Sequence, residues 1–559
     1  MLLLLLACTD PAADSPTAKA ADTGDTASDT DGDTSSDTDT DTAEDTADPY
    51  EAVYDDVRRA LRSALRGNNA SGVSIAVWKD GEVIFAEAMG TRSPDTDDIV
   101  LPSTLFQIGS DTKKMTAIAA LRQVEDGTLS LDSTIADIVP ELVFARDAGL
   151  ADTITLHELL SHQTGLFDYT PWVEAPDDAD LADRATGRFA DNEYAMGPSG
   201  LYWNYSNPGF SVAGLLTERA AGRPWADVLE DDVFAPLGLT RTFARRAPVE
   251  ADGDYAIGYG IDLPNGYDTF DPLAGLDYVV GTVPLEDTYD CGFTRPAGLV
   301  WSTASDMATF AGFFVDGDPA VLGDALRAEI TTPHVPMYPA TDAADFGYGY
   351  GLMVNSGGWS GYQGYYADVP LWAHGGNTMT MTSAFFVLPE QRVAVAVLSN
   401  GYADDFSEAA IVALEGVADL PTPATTVPPF LQPAENPEEL AGTWTDPNTL
   451  GTLTLTWDGA DLLVDAPDLE AAGYTVGAKL EPYYKDYYVL RVDGTDFDFS
   501  MYRGEDGSAY LVNRQFTWTR APGDVAARPG KPARARTVAA FDAPRTPDLR
   551  RSARGITAE

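Results

Sequence analysis

The sequence predicts an α/β protein of the α+β kind, in which helices alternate with antiparallel hairpins and a small all-β unit follows. Three observations carry that expectation. Apolar residues recur at helical spacing over 51–66 and again after Ser110, where Ile118, Leu121 and Val124 fall on one face. Alternating runs at Gly72–Trp78 and Glu82–Ala88 flank Lys79-Asp80-Gly81, a hairpin signal. Finally, a Pro- and Thr-rich stretch between Pro421 and Pro437 is followed by short alternating runs separated by Gly and Asp.

In chain order, Leu5-Leu6-Ala7-Cys8 resembles the lipobox of bacterial lipoproteins, which implies cleavage before Cys8, a lipid on it, and export to the cell envelope. Residues 9–49 are Asp, Thr, Ser, Ala and Gly in short repeats with no aromatic residue, and so predict a disordered acidic stalk. Its Asp29-Thr30-Asp31-Gly32-Asp33 fails the calcium-loop pattern, since Gly is misplaced and the twelfth position is Thr40. The 51–66 helix presents Val53, Val57, Leu61 and Leu65, and the hairpin follows. After the Ser110 helix comes a helix ending near Pro140, then Leu156–Leu166, which holds His157, Glu158 and His162. A zinc-protease helix needs its two imidazoles four residues apart; here they are five apart, about 140° round the helix, so both read as structural and no metal is expected. An apolar helix spans Val212–Leu216, and residues 251–295 predict long irregular loops over a site. Strands follow at Leu371–Thr378, Ser383–Leu388 and Val393–Asn400, with a turn at Pro389-Glu390-Gln391. Seven alternating runs between Gly442 and Trp518 predict a small antiparallel sheet or barrel. The expected organisation is 1–8 lipoprotein signal, 9–49 stalk, 50–417 first domain, 418–437 linker, 438–520 barrel and 521–559 disordered basic tail.

The stretch with chemistry in it is Ile108-Gly109-Ser110-Asp111-Thr112-Lys113-Lys114. Spacing of three on a helix brings the Ser110 hydroxyl to the Lys113 amine, a nucleophile beside its base. A Lys held in an apolar pocket can lose its charge and take the Ser proton, and a helix N-terminus favours an oxyanion there. Ser-x-x-Lys is weak alone, because an N-cap Ser with a solvated Lys looks the same. Lysine scarcity sharpens it: of seven in the chain, only Lys113 and Lys114 fall between Lys79 and Lys479. Adjacent residues diverge by about 100° round a helix, so Lys113 alone should face Ser110 and Lys114 should matter little. Two further stretches offer partners. Trp203-Asn204-Tyr205-Ser206-Asn207-Pro208-Gly209 can aim a phenol and an amide into one cavity, and His374-Gly375-Gly376-Asn377 sets an imidazole beside glycines that let a ligand approach the strand.

Composition narrows the partners. The formal charge is −53, with −12 on residues 10–49 and +4 on 521–559, which leaves −45 on residues 50–520. A surface that acidic repels phosphate and excludes nucleic acid as a partner, and it suits a saline medium. Cys8 and Cys291 are the only cysteines, so the mature chain forms no internal disulfide.

Taken together and in order, Ser110-x-x-Lys113, Tyr205-x-Asn207 and His374-Gly375-Gly376 resemble the serine β-lactamase and penicillin-binding-protein superfamily, nearest to class C β-lactamases and D-alanyl-D-alanine carboxypeptidases. The likeness covers roughly residues 50–417 and includes Gly298–Met307 before a helix. It implies an antiparallel sheet built from both ends of the domain, flanked by helices, with an all-helical subdomain inserted and the site at their junction. By position it implies Ser110 as the acylated nucleophile, Lys113 as its base and Tyr205 as a partner in proton transfer. Asn207, His374 and Gly375-Gly376 would position substrate, and the N–H groups of Ser110 and Asn377 would form an oxyanion hole. Class C enzymes carry Lys-Thr-Gly at the third motif; His-x-Gly here points to carboxypeptidase-, D-aminopeptidase- and esterase-like members, and a cationic His374 would bind a substrate carboxylate. The C-terminal unit resembles the lipocalin-like domains appended to some relatives and is expected to stand apart from the chemistry. The resulting expectation is a cofactor-free, monomeric serine hydrolase of a small amide, ester or short peptide, touching a membrane only through the Cys8 lipid. A true class C-like β-lactamase and a non-catalytic cell-surface binding protein on the same fold are the alternatives.

Overall fold

The structure, a computed structural model, describes residues 48–521 apart from 275–276, 342–344 and 427–432. Cys8, nearly all of the stalk and the basic tail lie outside the described residues.

Helix α1 (Glu51–Gly67) buries Tyr54, Val57, Ala60 and Leu61. Val53 and Leu65 are only half-buried, because the stripe turns toward Tyr54, whose ring stacks on Phe85 with centroids 4.3 Å apart. Strands β1 (Gly72–Lys79) and β2 (Glu82–Gly90) form the expected hairpin, with Asp80 and Gly81 at φ 51° and 104°. Two consecutive left-handed residues are what a tight turn needs to match strand twist, and Asp-Gly supplies them at low cost. Helix α2 (Thr112–Glu125) is preceded by a 3₁₀ turn over Gly109–Asp111, and every residue from Thr112 to Leu121 is buried. A helix apolar on nearly all sides is a central one. Around it pack α3 (Leu156–Ser161), α4 (Asn207–Ala221) and the intervening short helices.

Residues 251–295 are less irregular than expected. They contain the antiparallel pair β3 (Gly258–Asp262) and β4 (Val279–Val283), registered Gly258 to Val283. Glycines at 258, 260 and 281 hid these strands, because alternation cannot be read where there is no side chain. Helix α5 (Ala304–Asp316) begins at Thr303, whose hydroxyl caps the Asp306 N–H. Next come β5 (Val335–Pro336), β6 (Phe346–Tyr348), β7 (Met353–Asn355), β8 (Leu371–Asn377), β9 (Thr382–Leu388), β10 (Val393–Ser399) and helix α6 (Ser407–Val417).

These strands make one eight-stranded sheet in the order β2-β1-β10-β9-β8-β7-β6-β5, antiparallel throughout, so the N-terminal hairpin is zipped to the late strands through β1 and β10. Both faces are covered. Ile75, Val77, Val393, Val395 and Val397 pack under α1 and α6, while Ala76, Trp78, Ala394, Ala396 and Leu398 pack in the main core with α5. That is the period-two alternation of a strand buried on two sides.

The last eight strands close into a barrel: β11 (Gly442–Asp446), β12 (Gly451–Trp457), β13 (Leu462–Asp465), β14 (Val476–Tyr484), β15 (Tyr487–Val492), β16 (Thr495–Arg503), β17 (Ala509–Val512) and β18 (Thr517–Arg520). Trp444, Leu453, Leu490, Leu511 and Trp518 fill it, as side chains can in a barrel of this strand number. Seven of the eight strands were legible. Strand β14 was not, because Pro482 and two register shifts break its alternation and leave Leu480 as its one fully buried side chain. The barrel docks against the first domain through Tyr202 on Tyr502, centroids 5.1 Å apart, and through Arg146 donating to Asn448 Oδ1 at 3.2 Å. Among the described residues no helix is long and apolar enough to cross a membrane.

Candidate active site

The turn that presents Ser110 is held against the end of β8 by close backbone approach. Gly109 has φ 53°, and a Cβ there would lie 2.7 Å from Asn377 N; a Cβ on Gly376 would lie 1.9 Å from Ile108 O. Only glycine at both positions lets the turn and the strand touch, and that contact sets the Ser110 and Asn377 backbones side by side. Ser383 on β9 completes the seat, its Oγ 2.7 Å from Ile108 O and 2.5 Å from Asp111 Oδ2.

Lys113 is fully buried, and its Nζ has three neighbours: Asn207 Oδ1 at 2.7 Å, Ala297 O at 2.7 Å and Ser110 Oγ at 3.1 Å. Burial pushes its pKa well below 10.5, against Asp168 and with help from Arg514 and Lys114. A neutral amine has two N–H donors and one lone pair. Both N–H groups are claimed by oxygens that can only accept, so the lone pair is left to receive the Ser110 hydroxyl proton. Asn207 is oriented for this by donating from Nδ2 to Thr170 Oγ1 at 2.9 Å, while its backbone N–H donates to Asp168 Oδ1 at 2.7 Å.

Tyr205 stands over the amine, with Lys113 Nζ 4.7 Å from its ring centroid. Burial raises the phenol pKa, and Arg514 and Ser110 pull it back. Behind the ring lies His162, in a left-handed helix cap at φ 59°, its ring centroid 4.3 Å from that of Tyr205. His162 Nδ1 accepts the Ser206 N–H at 3.1 Å and so fixes the loop carrying Tyr205 and Asn207. His157, by contrast, contacts Tyr350 Oη at 2.8 Å and the ring of His334, in a cluster of its own.

Two expectations need correction. His374 is poorly placed to present a cation: it is 2% exposed, and burial followed by Lys114 and Lys113 drives its pKa well below 6.5. Its Nδ1 lies 2.7 Å from Gly375 O and its Nε2 3.1 Å from Tyr348 Oη. The neutral tautomer satisfies both, donating from Nδ1–H and accepting the Tyr348 O–H. Lys114 pairs with Asp111 while Lys113 takes Ser110, as their divergence round the helix predicts, but the surroundings of Lys114 make it matter to the fold. It is fully buried in an ion pair with Asp111, and its Nζ sits 4.0 Å from the Phe385 centroid.

The structure thus brings together Ser110, Lys113, Tyr205 and Asn207, with the Gly376–Asn377 end of β8 alongside and His374 one layer behind. His162 plays the structural part expected of it, while sequence reasoning missed Asp168, Tyr348 and Arg514. None lies in a motif, and Asp168 and Arg514 are 346 residues apart in the chain. Among the described residues no group of three or more His, Cys, Asp or Glu could hold a metal ion.

The profile of the Beta-lactamase family matches residues 57–418, well over half of the chain. The chain belongs to that family. As a β-lactamase-family chain it is a serine hydrolase of the class that includes penicillin-binding proteins and esterases. It is 28% identical over 343 residues to penicillin-binding protein 4 of Amycolatopsis lactamdurans, covering 60% of this chain and 82% of that protein. It is 31% identical over 202 residues to esterase EstB of Burkholderia gladioli, covering 34% of this chain and 49% of that protein. Among solved structures, SurE superposes with a TM-score of 0.60 at 22% identity, covering 85% of this chain and all of that one. The D-amino acid amidase of Ochrobactrum anthropi superposes with a TM-score of 0.52 at 23% identity, covering 65% of this chain and 98% of that one. At these identities the superpositions speak to the fold.

Proposed function

We propose that this β-lactamase-family member hydrolyses small amides and esters through an acyl-enzyme on Ser110, acting as a D-aminopeptidase-, carboxypeptidase- or esterase-like enzyme. The observation that carries the reading is the Lys113 amine, whose two N–H donors are engaged by Asn207 and Ala297 while Ser110 Oγ lies 3.1 Å away. In the forward step Ser110 Oγ attacks the substrate carbonyl as its proton passes to Lys113. Tyr205, hydrogen-bonded to Ser110, gives its proton to the leaving amine or alkoxide and takes back the one held by Lys113, and water then releases the acyl group. The N–H groups of Ser110 and Asn377 receive the oxyanion, and Asn207 and the Gly375–Gly376 backbone line the substrate. The neutral, buried His374 favours this branch over Lys-Thr-Gly β-lactamases, because no fixed cation stands there to hold a β-lactam carboxylate. The enzyme works as a monomer without a cofactor on a small-molecule or short-peptide substrate, exported and tethered by a lipid on Cys8.

Intact mass after incubation with a fluorophosphonate should show one adduct on the wild type and none on Ser110→Ala. A panel of D-amino-acid amides, D-alanyl peptides, p-nitrophenyl esters and a fluorescent penicillin should rank the first three above the last. An adduct on another Ser, or fastest turnover of the penicillin, would overturn the reading. Cys8→Ser should release the protein from the membrane fraction.

A further inference from the structure

The turn between β17 and β18 of the barrel, Asn513–Phe516, reaches back onto the Tyr205 loop. Arg514 Nε donates to Asp168 Oδ2 at 2.6 Å, and its guanidinium carbon lies 4.6 Å from the Tyr205 ring centroid. Arg514 O accepts from Asn204 Nδ2 at 3.3 Å. Asp168 is 1% exposed at its side chain, and Arg514 is the one cation paired with it among the described residues. The two oxygens of that carboxylate are divided: Oδ2 takes Arg514, and Oδ1 takes the N–H of Asn207, whose own Oδ1 holds Lys113 Nζ at 2.7 Å. A continuous chain of contacts therefore runs Arg514–Asp168–Asn207–Lys113, while the same guanidinium packs on the face of Tyr205. We infer that Arg514 is a positioning residue supplied by the barrel, which holds Asn207, Lys113 and Tyr205 in register with Ser110, so that the catalytic site is complete only with the barrel docked.

Two physical arguments support this. A planar guanidinium can bond a carboxylate and stack on a ring at once, which fixes both partners in orientation as well as distance. A buried carboxylate that loses its cation is costly and must be neutralised or move, and Asp168 cannot move without dragging the Asn207 N–H. The charge acts in the same direction as the geometry. The groups facing Lys113 are Asp168 and Asp111, which favour its cation, Arg514 and Lys114, which oppose it, and the rings of Tyr205, His162 and His374. Removing Arg514 leaves Asp168 unopposed, so the Lys113 amine becomes harder to deprotonate.

The inference rests on the proposed acylation of Ser110, and the experiment separates the two. Full-length wild type, Ser110→Ala, Arg514→Ala and Arg514→Gln are labelled with a small uncharged fluorophosphonate, and p-nitrophenyl acetate turnover is followed across pH. For Arg514→Ala we expect kcat and the labelling rate to fall by at least about tenfold with KM little changed. The rising limb of the pH–rate profile should move to higher pH, and millimolar guanidinium, far below denaturing levels, should restore part of the rate. If Arg514→Ala does not fold by circular dichroism, Arg514→Gln, which keeps a donor for Asp168 but not the charge, should show the same pH displacement. Unchanged rates and profile in a folded variant overturn the inference. So does a loss confined to KM for carboxylate-bearing substrates, which would make Arg514 a substrate contact instead. A wild type that is not labelled, or a Ser110→Ala protein that is, overturns the acyl-enzyme reading itself.

Discussion

At the scale of single residues, burial decides the protonation states on which the chemistry depends. Burial lowers the Lys113 pKa, so the rate on a neutral ester should rise with pH through that lowered pKa and then level off. Burial, with Lys114 and Lys113, lowers the His374 pKa well below 6.5, and its own titration should therefore leave no alkaline decline. A pH–rate profile of wild type and His374→Gln checks this: both should rise to a plateau, and a decline that disappears in the variant would restore the cationic role. Lys113→Ala should abolish turnover in a protein that still folds. Lys114→Ala should behave differently. Removing one partner of its buried pair with Asp111 costs about 3–5 kcal/mol, so chemical denaturation should show a large loss of stability with any loss of rate following from it. A Lys114→Ala protein as stable as wild type would contradict the buried pair.

At the scale of elements, the site depends on how near one backbone can come to another. Helix α2 supplies Lys113, but its N-terminal turn is placed by β8 and β9 through Gly109, Gly376 and Ser383. Gly376→Ala puts a methyl 1.9 Å from Ile108 O, a distance that backbone can relieve only by separating. Phosphonate labelling should fall by orders of magnitude in this variant, whereas Gly81→Ala, which meets nothing within 4 Å and strains only an exposed hairpin, should label normally and lose only stability. Equal labelling in the two would mean that the turn does not need its contact with β8.

At the scale of the whole molecule, two bulk properties follow. Residues 50–520 carry −45, and like charges on one compact body repel until salt screens them. The melting temperature should therefore rise between about 0.05 and 1 M NaCl, as the screening length drops from about 14 to 3 Å; a flat or falling curve would show that ion pairs outweigh the repulsion. Three of the four histidines, His162, His334 and His374, have pKa values lowered mainly by burial. Each binds a proton more readily unfolded than folded, so the sign is fixed: stability is lost as pH falls below about 6.5, the unfolded value. Denaturation midpoints at pH 7.5 and 5.5 measure it, and His334→Gln, away from the site, should shrink the difference.

What the sequence determined by itself is what is local in the chain. The Ser110–Lys113 spacing, the Asp-Gly turn and seven of the barrel strands all follow from periodicity and turn chemistry within a window of a few residues. The family resemblance supplied the antiparallel sheet built from both ends of the domain. Tertiary structure decided the rest. Whether His374 is charged depends on its burial and on Lys114 and Lys113 beside it, and whether Lys114 is solvated depends on Asp111 and Phe385. Arg514 reaches Asp168 from 346 positions away. A charge in a sequence carries no record of the dielectric it will sit in or the partner that will neutralise it, and those two facts exist only once the chain has folded.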